Sequence, residues 1–319
     1  MVRRLQQVLQ QVREITDITT FTSEKPTVIT IGTFDGVHLG HQKIIKRVVE
    51  TAHKNGLFAT VFTFFPHPRM IVQHDQQLKL IHTLAEKKQF LQLLGVDLLI
   101  VQPFDEAFAN LSAEAFVSEL LVKHLRAQKV IIGYDHHFGK NRTANIDNMR
   151  LFGEQYGFSV EEIPVQEVDE VSVSSTKIRQ ALNEGKVEIA EHYLGVPYSF
   201  TGKVVHGLKL GRTIGFPTAN LQVEASYKLI PKDGVYVVYS LIEGRKVYGM
   251  MSIGKNPTIQ GKGASIEVYF FDFNQDLYGQ DLTIYFVKYL REERKFSSVS
   301  LLKKQIQDDE TAARKAIAL

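Results

Sequence analysis

The residues best suited to chemistry lie in Gly32-Thr33-Phe34-Asp35-Gly36-Val37-His38-Leu39-Gly40-His41-Gln42. Gly36 and Gly40 let the backbone approach a ligand closely. His38 and His41 stand three residues apart, which puts both on one side of a helix. The apolar run Val28 to Ile31 precedes them and reads as a buried strand, while Ile44, Ile45, Val48 and Val49 follow at helical spacing. A strand that turns into a helix here aims free N–H groups and a positive dipole end at whatever binds. That suits phosphate, and above all the negative charge that builds up in phosphoryl or nucleotidyl transfer. His-x-x-His is also open to metal ligation, and a histidine at a helix start is often only a cap.

Three further stretches bear on the same chemistry. Ser174-Ser175-Thr176, with Arg179 one turn on, offers hydroxyls, N–H groups and a guanidinium able to hold a triphosphate. Serine as an ordinary helix cap is the alternative. The run Thr63-Phe64-Phe65-Pro66-His67-Pro68-Arg69 ends a strand and brings His67 and Arg69 to its carboxyl edge, or is simply a rigid loop. Glycines 207, 211 and 215 predict a mobile loop able to fold over phosphates; Thr218 and Asn220 supply hard oxygens suited to Mg2+. A plain turn is the alternative. No Gly-x-x-x-x-Gly-Lys-Ser/Thr occurs, so this is not a P-loop enzyme. The cluster Asp135-His136-His137 lacks a second ligand group at a metal-binding spacing.

The elements that must position these residues differ between the two halves. Strands near 27–32, 57–65, 96–101, 130–132 and 158–163 alternate with helices over 39–55, 84–94, 111–125 and from Leu151 to Tyr156. That predicts an α/β doubly wound parallel sheet, covered on both faces, with the histidine loop at its carboxyl edge. Glu161, Glu162, Glu167, Asp169 and Glu170 read as a solvated acidic stretch. A helix over 187–194, closed by Gly195-Val196-Pro197, marks the boundary between domains 1–185 and 186–319. Alternating strands at 199–206, 235–242, 246–253, 265–273 and 281–289 then predict an antiparallel β-barrel. A terminal helix with Phe296, Val299, Leu302 and Ile306 on one face would cover it, and Leu5, Val8, Leu9 and Val12 predict a short helix at the start.

Gly32-x-Phe34-Asp35-Gly36-x-His38-x-Gly40-His41 resembles the His-x-Gly-His signature of the nucleotidylyltransferase superfamily. The Phe-Asp-Gly-Val-His version resembles the prokaryotic bifunctional riboflavin kinase/FMN adenylyltransferase (FAD synthetase) branch. The family's Pro-His-Pro, Gly-x-Asp-Phe-x-Phe-Gly and Ser-Ser-Thr-x-Ile-Arg motifs also have counterparts here, with His136 standing where the family has Phe. Gly211-Arg212-Thr213-Ile214-Gly215-Phe216-Pro217-Thr218-Ala219-Asn220 resembles the riboflavin kinase signature, although Leu208-Lys209-Leu210 departs from it. Gly254-Lys255-Asn256-Pro257-Thr258 resembles a further turn of the family.

The resemblance implies roles. His38 and His41 would stabilise transferring phosphates, and Gly32, Phe34, Asp35, Gly36, Gly40, Ser175, Thr176 and Arg179 would hold the nucleotide. Phe64, Pro66, His67 and Asp135 would meet FMN. In the barrel, Gly207, Gly211, Arg212, Gly215, Pro217 and Thr218 would bind ATP, Thr218 and Asn220 would hold Mg2+, and Arg291 with Phe296 would bind flavin. Glu267 would be the general base of riboflavin phosphorylation. ATP, riboflavin, FMN and FAD would be substrates and products.

Composition agrees with a cytoplasmic enzyme of two domains. The 319 residues are 44% hydrophobic and 23% charged, with 38 basic and 35 acidic side chains and no cysteine. A net charge of +3 argues against nucleic acid, and no apolar run is long enough to span a membrane. The expected partners are small molecules, on a monomer or weak homo-oligomer. Rival readings are a single-function adenylyltransferase with a flavin-binding barrel, and a barrel that binds single-stranded nucleic acid.

Overall fold

The computed structural model describes residues 11–134, 136–164, 173–207, 210–254 and 265–317. Asp135, Leu208, Lys209, the turn after Gly254, the acidic residues 167–170 and most of the expected first helix lie outside them. The chain forms two compact units, up to Ser174 and from Ser175 onward.

The first unit holds β1 (Arg13–Ile15), β2 (Thr27–Ile31), α1 (Leu39–Lys54), β3 (Phe58–Phe65), α2 (Pro68–Val72) and α3 (Leu84–Leu93). There follow β4 (Leu98–Pro103), α4 (Glu106–Ala109), α5 (Ala113–Ala115), β5 (Ala127–Gly133), α6 (Ile146–Tyr156) and β6 (Ser159–Ile163). The sheet order is β1-β4-β3-β2-β5-β6, and every pairing is parallel. Alternate residues of β2 serve opposite faces. Ile29 and Ile31 pack with Val117, Leu121 and Met149, while Val28 packs with Ile44 and Val48 of α1. Between β2 and β5 the order of winding reverses, and ligands of such sheets bind in the crevice at that reversal.

The structure differs from the sequence expectation in local ways. The helix expected over 111–125 is a short α5, capped by the Ser112 hydroxyl, that continues as a π-helical stretch, Phe116–His124. α6 starts before Leu151, because Asn145 and Asn148 form a reciprocal cap. β1 is an unexpected edge strand.

The second unit begins with α7 (Ser175–Asn183) and α8 (Val187–Leu194). β7 (Ser199–Val205), α9 (Leu210–Thr213), β8 (Ala219–Gln222), β9 (Gly234–Ile242), β10 (Arg245–Gly254), β11 (Ser265–Phe270), β12 (Asp281–Arg291) and α10 (Val299–Ile317) follow. Six strands close an antiparallel barrel in the order β10-β11-β8-β7-β12-β9. β8 is the strand that the sequence reading left inside a motif. α10 packs Ile306, Ala313 and Ile317 against Val237, Met250 and Phe271, whereas Val299 faces solvent.

Candidate active sites

In the first unit His38 sits at the N-cap of α1 in extended conformation, and its Nδ1 accepts the His41 N–H at 3.3 Å. A neutral imidazole that accepts at Nδ1 carries its proton on Nε2, so His38 presents a donor. The His38 and His41 rings stack with centroids 3.6 Å apart, and Phe34 meets His41 edge-on at 5.2 Å. Burial lowers His38 to about 4, opposed by Asp35. Burial, and then the neighbouring His38, Lys87 and His82, hold His41 well below the usual histidine value. Both rings are neutral at pH 7 and act as hydrogen-bonding groups rather than cations. Nδ1 of His41 is buried with no hydrogen-bond partner among the described residues.

The loop that carries them is held from below. Asp35, expected at the nucleotide, is buried, and its carboxylate accepts the Ile81 N–H at 3.0 and 3.2 Å and the His82 N–H at 3.3 Å. Gly36, at φ 87°, lies so close to Ile81 that a Cβ would come within 3.0 Å of it. Phe34 and Val37 adopt φ of 44° and 41°, strained for residues with a side chain. Both are buried, and their packing offsets that strain. Gly40 is buried in the first turn of α1. Lys87, which the sequence reading missed, donates to the Thr33 carbonyl at 2.7 Å. The available signal was its place on the apolar stripe of α3 with Leu84 and Leu91.

A cavity of about 410 Å³ opens beside this loop, at the carboxyl ends of β2, β3 and β5. Gly32, Phe34 and His41 line one side; Phe64, His67 and Arg69 come from the end of β3. Phe104, Phe108, Phe116 and Phe138 make an aromatic wall able to receive a planar ring. His136, His137 and Arg142 complete it. Burial, then Arg142 and His137, push His136 down to about 4, and its Nε2 is buried without a partner among the described residues. His67 caps α2, its Nδ1 accepting the Arg69 N–H at 3.2 Å, and the bond from Phe65 to Pro66 is cis. Arg69 pairs with Asp75 at 2.8 Å. Ser175 and Thr176 open α7, with Arg179 one turn on, in the second unit.

In the barrel, Arg212, Pro217 and Thr218 line a second cavity of about 380 Å³, with Asp276 and Tyr278 opposite. Thr218 Oγ1 donates to Glu267 Oε2 at 3.0 Å, and Ser265 Oγ donates to Oε1 at 3.3 Å. Asn220 and Glu267 are cross-strand neighbours on β8 and β11. Gly207 packs on the Asn220 side chain, where a Cβ would collide with the amide. Gly211 lies equally close to the Phe216 carbonyl, and Gly215 takes φ 91°. The His206 and Tyr278 rings lie tilted against each other with centroids 4.1 Å apart.

Arg291, expected at the flavin, pairs with the terminal helix. Its Nε donates to both oxygens of Asp309 at 2.9 and 3.0 Å, its Nη2 to Oδ2 at 2.6 Å, and its Nη1 to the Glu292 carbonyl. It ties β12 to α10. Phe296 lies half-buried before that helix.

The two units carry separate likenesses. The FAD synthetase family model matches residues 20–177, and the riboflavin kinase family model matches residues 194–317. A bifunctional riboflavin kinase/FMN adenylyltransferase of Listeria monocytogenes is 40% identical over 90% of this chain and 91% of that protein. Its counterpart in Escherichia coli K12 is 39% identical over 92% of this chain and 93% of that protein. A crystal structure of a macrolide-efflux protein from Streptococcus pneumoniae superposes with a TM-score of 0.85 at 35% identity, covering 95% of this chain and 99% of that one. Among the described residues, no helix is long and apolar enough to cross a membrane. With a family match over the α/β unit and another over the barrel, and bifunctional relatives at 40% and 39% identity, the chain belongs to the bifunctional riboflavin kinase/FMN adenylyltransferases, which phosphorylate riboflavin to FMN and adenylylate FMN to FAD.

Proposed function

We propose that His38 and His41 serve adenylyl transfer in the first unit, and that Glu267 serves phosphoryl transfer in the barrel. The observation that carries this division is the lining of the cavities. Among the described residues, the first cavity is lined by histidines and arginines and by no carboxylate, whereas Thr218 of the second hydrogen-bonds Glu267.

In the first unit an oxygen of the FMN phosphate attacks the α-phosphorus of ATP. A new P–O bond forms, the bond to the β-phosphate oxygen breaks, and pyrophosphate leaves. Negative charge spreads over the transferred and departing groups. The Nε2–H of His38, the His41 ring and the N-terminus of α1 receive it. Gly32, Gly36 and Gly40 keep the backbone close, and Asp35 acts by anchoring the loop. Phe64, Pro66, His67 and Asp135 hold FMN; Ser175, Thr176 and Arg179 hold the triphosphate.

In the barrel a ribityl hydroxyl attacks the γ-phosphorus, and Glu267 accepts its proton as the bond to ADP breaks. Gly207, Gly211, Arg212, Gly215, Pro217 and Thr218 hold ATP, and Arg291 and Phe296 border the flavin. The donor set near Thr218 fits Mg2+. It offers a hydroxyl and an amide oxygen, and among the described residues no group of three or more His, Cys, Asp and Glu forms a metal site. Such a set suits an ion that brings most of its ligands as water and phosphate oxygens. Mg2+ held by Thr218 and Asn220 would neutralise phosphate charge. The protein works in the cytoplasm as a monomer or weak homo-oligomer, with domains 1–185 and 186–319.

A time course with riboflavin, ATP and Mg2+, resolved by chromatography, tests the division of labour. Wild-type protein gives FMN and then FAD. Each variant is assayed both with riboflavin and with added FMN, and a single substitution at His41 or Glu267 that stopped both riboflavin phosphorylation and the adenylylation of added FMN in folded protein would overturn it.

A further inference from the structure

A buried ammonium that no step above uses lies beneath the histidine loop. Lys87 is 4% exposed. Its Nζ donates to the Thr33 carbonyl at 2.7 Å and makes a longer contact of 3.4 Å with Thr63 Oγ1, which itself donates to the Thr33 carbonyl at 3.1 Å. Thr33 belongs to the loop of His38 and His41. Thr63 immediately precedes Phe64 on the strand that leads to His67. The junction therefore joins the two segments that carry the opposite sides of the cavity.

Burying a charge is costly, and here the direct partners are a carbonyl and a hydroxyl. A surface orientation on α3 would avoid that cost, so the inward position calls for a return. We propose that Lys87 is a positioning residue for adenylyl transfer: it clamps the Thr33 carbonyl, and so fixes the loop of His38 and His41 against the strand end that presents Phe64 and His67. This rests on the reading that His38 and His41 serve that reaction.

The ammonium also shapes the local field. Burial lowers Lys87 to about 8, opposed by Asp35, so it remains mostly charged at pH 7. Its charge disfavours protonation of His41. The other titratable groups around the loop are His38, His82 and Asp35, with Glu86 on the same helix capping the Thr83 N–H. Without Lys87, His41 takes up a proton at higher pH.

The test uses the full chain with Lys87→Met and Lys87→Arg. Foldedness is read by circular dichroism, and riboflavin phosphorylation serves as the internal control. Misplacing reacting groups by about 1 Å costs about 100-fold, so kcat for FMN adenylylation falls about 10- to 100-fold in Lys87→Met. KM for FMN and ATP changes less, and the acid limb of kcat/KM moves to higher pH. Lys87→Arg, which keeps the charge and a donor, recovers part of kcat. Wild-type kcat and an unmoved acid limb in folded Lys87→Met would overturn the proposal while leaving the role of His41 intact. If His41→Ala itself leaves FAD formation unchanged, the underlying reading falls instead. Should Lys87→Met fail to fold, Thr63→Val removes one arm of the junction, and an unchanged kcat there overturns the clamp.

Discussion

The two cavities carry opposite equipment. At the edge of the parallel sheet, His41, stacked on the buried His38 at a helix N-terminus, lines a cavity that among the described residues has no carboxylate in its wall. In the barrel a carboxylate, oriented by two hydroxyls, stands beside the cavity. The difference follows from the two nucleophiles. The phosphate of FMN is already anionic at pH 7 and needs no base. A ribityl hydroxyl must lose its proton as it attacks. In the proposed division of labour, one site receives negative charge and the other a proton. The scaffolds match: a sheet edge supplies helix termini and backbone N–H groups, whereas a barrel wall supplies side chains at alternate positions.

The largest test of this contrast removes the proton acceptor. Glu267→Gln keeps shape and hydrogen bonding but cannot take the proton, so riboflavin phosphorylation falls about 100- to 10,000-fold. Adenylylation of added FMN continues at the wild-type rate. The converse, His41→Ala, lowers FAD formation about 100- to 1,000-fold while FMN accumulates. Initial rates of each half-reaction, measured separately in each variant, check both. Equal losses in both reactions would break the contrast.

A smaller effect concerns the metal. Asn220→Ala removes an amide oxygen next to Gly207 and opposite Glu267. It raises the Mg2+ concentration needed for half-maximal phosphorylation about 10-fold. The Mg2+ dependence of FMN adenylylation stays put. A metal titration of each half-reaction reads this, and an unmoved midpoint for phosphorylation removes Asn220 from the metal.

The two regions also differ in how far the sequence disclosed them. The apolar runs of β2 to β5 were legible, because a buried parallel strand that ends in glycine or proline leaves a strong local pattern. β1 was not, since Arg13-Glu14-Ile15 is short and mostly polar and gains its partner only from β4. β8 was hidden, since Ala219–Gln222 begins inside the phosphate-loop motif. Side-chain destinations were harder still. Asp35 bonds backbone groups 46 residues away, and Arg291 bonds a carboxylate 18 residues away. Spacing along the chain carries no trace of either. Lys87 went unnoticed in the sequence because its acceptors, Thr33 and Thr63, belong to two other segments.

The Arg291–Asp309 pair gives a test in which activity and stability separate. The two side chains are 16% and 7% exposed, and removing either charge strands the other. Asp309→Ala lowers the stability of the barrel by about 3 kcal/mol. The double variant Arg291→Met with Asp309→Leu recovers much of that loss. Thermal unfolding and the KM for riboflavin are then compared in the double variant. A raised KM at restored stability assigns Arg291 to flavin as well as to α10; an unchanged KM leaves it a clamp.

The smallest expected effect concerns pH and follows from the neutral rings. His38 and His136 both titrate at about 4 in the folded protein, against 6.5 for a histidine in water, with burial the leading cause in each. Between those values the unfolded chain binds protons on these rings and the native state does not. Stability therefore rises with pH across that window. It is fully present above about 6.5 and is lost as pH falls toward about 4. The half-inactivation temperature for FMN adenylylation should drop by about 5 °C between pH 7 and pH 5. His136→Phe deletes one of the two rings and should make the drop smaller. A drop that His136→Phe leaves unchanged would mean that other groups govern the acid sensitivity of this unit, and that its site tolerates charge on that ring. The contrast between a site of neutral rings and a site built on a carboxylate would then rest on His38 and His41 alone.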